Sequence, residues 1–227
     1  MVSGLFQVTP AVSIKTWRAL ARGEEVELNK NIHSWDPFVL LLIDVQKDFM
    51  TEEMDRDFPN YSANVKKLLK LCRTEEIDIV HLRASFQADK SDWMVRYHFL
   101  ERIPCIEGTP GAGLLPCADD VNDEKVIIKQ TFDGFQNPQL QEYLTAGNKQ
   151  YLLVAGLVTS VCVLLTAASA AQQGYLVSLV EDCCADKAEA HKHTLARYPF
   201  IFDRILVDEI RSRRAQWLED LEKVRDI

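Results

Sequence analysis

The sequence predicts a doubly wound α/β fold, a mostly parallel sheet with helices on both faces. Short apolar runs alternate with segments of helical spacing, the order in which parallel sheets are built. The runs are apolar throughout rather than at every second position, as expected of strands covered on both faces. A chain of 227 residues, 47% of them hydrophobic, can bury a full core and suits one domain better than two. We expect an N-terminal extension over residues 1–37 and a single domain over 38–227.

The apolar runs are, in order, Phe38–Ile43, 77–82, 125–128, 151–155, 176–180 and 205–207, each too short for a helix. Helices are predicted over 62–72, Pro138–Ala146, 160–173 and 186–198, where apolar residues recur at helical spacing. A final amphipathic helix carries Trp217, Leu218, Leu221 and Val224. Ahead of the first strand an ordinary helix is expected over 13–21. Residues 1–23 hold Lys15, Arg18 and Arg22 but no acid, a weak similarity to an organelle transit peptide.

In open sheets of this kind ligands bind beyond the carboxyl ends of the strands, so polar residues there are read first. The first strand runs straight into Asp44, a carboxylate suited to proton transfer. The third ends at Lys129. The fourth leads through Gly156-Leu157-Val158-Thr159-Ser160-Val161 to Cys162, at the opening of an alanine-rich helix. There, unpaired amides, the helix dipole and a neighbouring ammonium are expected to lower the thiol's pKa. Singly, each residue has an ordinary reading as a turn aspartate, a solvent-facing lysine or a small buried cysteine. Together, at three strand ends, they form a set that nucleophilic catalysis can use.

Composition narrows the partners. A net charge of -8 with no clustered basic residues opposes nucleic-acid binding, and no apolar run approaches the ~18 residues of a membrane span. The six cysteines lie at irregular spacings, and adjacent Cys183 and Cys184 are poorly placed to bridge each other, so all read as reduced thiols. We expect a cytoplasmic protein with a small-molecule substrate. The sequon Asn60-Tyr61-Ser62 matters only if the chain is secreted.

Three segments, Leu-Leu-Ile-Asp-Val-Gln-Lys-Asp-Phe, Val-Ile-Ile-Lys-Gln-Thr-Phe-Asp-Gly-Phe and Gly-Leu-Val-Thr-Ser-Val-Cys-Val, resemble the signature segments of isochorismatase-like hydrolases. The resemblance implies that Asp44, Lys129 and Cys162 are a catalytic triad and that the Leu157-Val158 peptide is cis. It implies two chemistries. In amidase members the thiolate attacks a carbonyl, and the backbone amides of Val158 and Cys162 would form the oxyanion hole. In isochorismatases proper the aspartate protonates a vinyl ether, releasing pyruvate. Both reactions fit these residues.

Nicotinamidases of the family hold a divalent ion with an Asp-x-His and further histidines, where this chain has His81-Leu82-Arg83. We read His81 as structural, and His191 and His193, two apart on a helix, as poorly placed to share an ion. No metal and no cofactor are expected. Arg83 is a candidate for binding a substrate carboxylate, and Phe49 and Phe135 for walling the pocket, with Trp93 and Phe132 as further aromatics. The segment 87–116 is expected to shape the pocket entrance, and Ser169 stands where many members carry aspartate. The family's habit and the alanine-rich helix suggest a homo-oligomer. Two other classes are a non-catalytic binding or assembly protein and a leaderless secreted effector that depletes a host's isochorismate.

Overall fold

The structure is a computed structural model, and it describes residues 35–121 and 123–225. The helix expected over 13–21, and most of the N-terminal extension, lie outside them. Six strands, β1 (Phe38–Ile43), β2 (Asp78–Ala84), β3 (Lys125–Lys129), β4 (Tyr151–Leu157), β5 (Leu176–Ala185) and β6 (Asp203–Ile205), form one sheet in the order β3-β2-β1-β4-β5-β6. Every neighbouring pair is parallel. Among the described residues six α-helices accompany them: α1 (Glu52–Asp57), α2 (Tyr61–Thr74), α3 (Pro138–Ala146), α4 (Leu164–Gln172), α5 (Ala188–Arg197) and α6 (Ile210–Arg225).

The strand order reverses between β1 and β4, a switch point at whose carboxyl ends sheets of this kind bind their ligands. The two backbones pack closely there. Ile43 lies opposite Gly156, whose φ is +127°, and a Cβ at Gly156 would fall 2.0 Å from the Ile43 carbonyl oxygen. Only glycine accepts both conditions.

β1 is buried along its whole length and centres the main core. Trp217 of α6 closes that core from one end, its ring 4.8 Å from Tyr151 and 5.9 Å from Phe38. The packed unit starts ahead of the expected boundary at 38, because Trp35 is buried, stacks edge-on against Phe38 and donates from Nε1 to Glu75. A second, smaller cluster of Ala84, Phe86, Tyr97, Ile103 and Cys105 lies over the carboxyl end of β2, with Phe49 touching both cores.

Several boundaries differ from expectation. The sixth strand covers Asp203–Ile205, because Val207 opens a 3-10 turn in which the Glu209 side chain accepts from the Leu206 amide. The helix expected over 160–173 begins instead as a π-turn over Thr159–Val163. α5 starts at Ala188, leaving Asp186 outside the helix. No helix among the described residues is long and apolar enough to cross a membrane.

Candidate active site

Asp44 follows β1 in the left-handed region, φ +49°, which aspartate tolerates better than most residues. Its amide donates to the Leu82 carbonyl at 2.8 Å, and its own carbonyl accepts from Gln46 at 2.7 Å. Gln46 then locks the turn: its side chain exchanges hydrogen bonds with both backbone groups of Ala84 and donates to the Ala112 carbonyl, each at 2.9 Å. This places the Asp44 carboxylate inside the sheet edge, where it accepts from Lys129 Nζ at 2.7 Å. The same ammonium donates to the Thr131 carbonyl at 2.9 Å.

Asp44 and Lys129 are 0% and 1% exposed, and Cys162 is 4% exposed. The thiol interacts electrostatically with both charged groups, while Asp44 Oδ1 is buried without a hydrogen-bond partner of ordinary geometry. Burial raises the Asp44 carboxyl above its ordinary pKa despite the pull of Lys129. Burial alone would lower Lys129, but Asp44 and Cys162 raise it, so the ammonium stays charged.

Cys162 corrects one expectation. Its thiol is raised, first by burial and then by the Asp44 carboxylate, more than Lys129 lowers it. The amides expected to help are already engaged: Val161 and Val163 both donate to the Val158 carbonyl, at 3.1 and 3.4 Å, and Ser160 donates to Asp186. The Cys162 amide is not one of those donors. The Leu157-Val158 peptide is cis.

The other expected site residues divide. Arg83 pairs in register with Ile128, and Ala84 with Lys129, so the Arg83 side chain leaves the sheet on the face opposite Lys129. It contacts Asp120 at 3.1 Å, beside a network in which Glu124 joins His81 and Arg73. The structure therefore does not bring Arg83 to the Asp44 group. Phe135 stacks on Tyr175 at 6.0 Å, and that tyrosine accepts from Gln141 of α3, which puts Phe135 in the seam between helices. Phe49 is half-buried between the two cores. Ser169 donates to Asp133, which caps the turn carrying Phe135.

Two residues near the site lacked an individual signal in the sequence. Tyr97 is raised to about 12 by burial and by Cys162 and Asp44. Cys105, raised to about 12, feels burial, Asp44 and Asp48 against Lys129. Both belong to the 87–116 segment, whose aromatic stretch Trp93 to Phe99 was the available hint. Phe86 and Phe132 flank Tyr97 edge-on, at 5.2 and 6.1 Å. Asp48 ties this segment down by accepting from the Cys105 amide and from Arg102, each at 2.8 Å. Among the described residues, no group of three or more His, Cys, Asp or Glu is arranged to hold a metal ion.

The sheet order is that of a doubly wound α/β protein, and a carboxylate, an ammonium and a thiol gather at its switch point, where such folds bind their ligands. The model of the family described as Isochorismatase domain matches residues 38–200, and the chain belongs to that family of hydrolases. It is 27% identical over 164 residues to maleamate amidohydrolase of Pseudomonas putida, covering 69% of this chain and 76% of that one. It is 26% identical over 152 residues to the secreted isochorismatase effector Isc1 of Verticillium dahliae, covering 66% and 73%. The crystal structure of an isochorismatase family protein from Desulfovibrio vulgaris superposes with a TM-score of 0.71 at 25% identity, covering 79% of this chain and 98% of that chain.

Proposed function

We propose that this isochorismatase-family hydrolase cleaves the C–N bond of a small amide or ureido compound through a thioester on Cys162. The observation that carries the reading is the buried contact in which Lys129 holds one oxygen of Asp44 and leaves the other free of a conventional partner, with the Cys162 thiol against both groups. A thiol raised in this way needs a base at the moment of attack. Asp44 takes the thiol proton as sulfur adds to the carbonyl carbon, then delivers it to the departing nitrogen as the C–N bond breaks. Water, deprotonated by Asp44, next attacks the thioester, or the thiocarbamate formed from a ureido substrate, and the departing thiolate takes that proton back from Asp44 as the carboxylic or carbamic acid is released. Lys129 keeps Asp44 oriented and stabilises negative charge, and the amides of Val158 and Cys162 receive the oxyanion. The likeness to a maleamate amidohydrolase supports this chemistry.

A second reading is favoured by the raised Asp44 carboxyl, which suits an acid that protonates a vinyl ether, and by the likeness to an isochorismatase effector. The test is a paired assay, following ammonia release from a panel of amides and ureido compounds and pyruvate release from isochorismate. Ammonia release lost in both Cys162→Ala and Asp44→Ala supports the thioester route. Pyruvate release lost only in Asp44→Ala supports the ether route, and silence on every substrate favours a binding protein. We further propose a cytoplasmic, single-domain homo-oligomer. Sedimentation at several concentrations tests the assembly, and appearance of the protein in culture medium without a cytosolic marker would replace the location with secretion.

A further inference from the structure

We propose that Asp186, assisted by His191, is a positioning residue that clasps the turn carrying Cys162 and holds its thiol at the angle needed for attack. The inference rests on Cys162 being the nucleophile. Asp186 is 7% exposed and follows β5, on a different element from the cysteine. Its Oδ2 accepts from both the Ser160 amide at 2.8 Å and the Ser160 hydroxyl at 2.6 Å, while Oδ1 accepts from the Lys187 amide at 2.7 Å. One residue earlier, the buried Thr159 hydroxyl bonds His191 Nδ1 at 2.8 Å, and Phe58 packs edge-on against that imidazole at 4.9 Å. The segment 186–191 thus grips Thr159 and Ser160, the two residues that open the π-turn containing Cys162.

π-turns are rare, occur mostly as single turns and recur at functional sites. The Val158 carbonyl is shared by two amides, and one of those bonds is long at 3.4 Å. A carboxylate fixed by three hydrogen bonds supplies an external reference for the turn, and it occupies the Ser160 amide that would otherwise favour a thiolate. The clasp therefore serves orientation at the cost of thiol acidity. Asp44, as base, makes up for that loss.

The test compares the wild type with Asp186→Ala, Asp186→Asn, Ser160→Ala and the Asp186→Ala/Ser160→Ala double variant, well below every thermal midpoint. Two quantities are measured: kcat and KM on the amide that wild type turns over best, and the rate of Cys162 alkylation by iodoacetamide, followed on the Cys162 peptide. We expect kcat to fall about 10- to 100-fold in Asp186→Ala with KM nearly unchanged. Asp186→Asn should be intermediate, and the double variant no worse than Asp186→Ala, because the two side chains act through one contact. Alkylation should move the other way and become several-fold faster as the turn loosens and the Ser160 amide is freed.

Lower thermal midpoints with wild-type kcat and wild-type alkylation would overturn the clasp and leave Asp186 a purely structural residue. Additive losses in the double variant would also overturn it. Full turnover in Cys162→Ala would instead sink the nucleophile assignment, and the alkylation rates would still report whether Asp186 holds the turn.

Discussion

Asp44 sits where burial favours keeping its proton. If it is the base, activity requires the ionised carboxylate, so kcat/KM should rise with pH through an apparent pKa above the ordinary aspartate value of about 3.9. A pH profile whose acid limb falls at or below that value would remove Asp44 from the role. Lys129 is tested through stability. Lys129→Met leaves a buried carboxylate without its cation, and we expect a loss of about 3–5 kcal/mol at neutral pH by urea denaturation. In that variant the folded pKa of Asp44 rises further above the raised value it already has beside Lys129. The extra penalty then sets in as pH climbs past the wild-type folded pKa, and the gap to wild type closes on acidification below it. The sequence brought Asp44, Lys129 and Cys162 to notice because each stands at a strand's end. It misled on Arg83, because being last but one in a strand reverses the face, and a one-residue error in where the strand stops changes the answer. It gave no sign of the Asp186 contact, because the residue reads locally as a helix cap while its carboxylate accepts from Ser160, 26 positions away.

Among the elements, β1 and α3 have the bounds that their residues predict, because an unbroken apolar run and an Asn137-Pro138 start leave little choice. β2, β4 and β5 run past their apolar runs, since β2 goes on pairing with β3 and β4 with β5 after the runs end. α1 was not predicted, although Thr51 caps it by accepting from the Met54 amide. Its six residues are too few to display a helical period. The junction of β1 and β4 is the element-scale test. Gly156→Ala needs both a strained φ and the displacement of the Ile43 backbone, so we expect a loss of about 2–4 kcal/mol. A thermal midpoint equal to wild type would mean that the two strands can separate without cost.

For the whole molecule, one core runs from Trp35 through the sheet to α6, which predicts a single cooperative unfolding transition when fluorescence and circular dichroism are followed together. Trp217→Ala should shift that transition by about 3–5 kcal/mol without splitting it, because the ring is buried against Phe38 and Tyr151. Noncoincident transitions would instead divide the chain into units. The doubly wound plan was legible from alternation and from uniformly apolar strands. The aromatic cluster over the site was not, because Phe86, Tyr97 and Cys105 meet only once the loop between β2 and β3 has folded back. The central position of β1 also bears on how the protein is made. Phe38–Ile43 leaves the ribosome as six uncharged apolar residues, and its partner β4 follows only after β2 and β3 have been synthesised. For that interval the nascent chain carries a segment prone to self-association. Soluble yield should therefore depend on slowed translation or on chaperone supply more than on the stability of the finished fold.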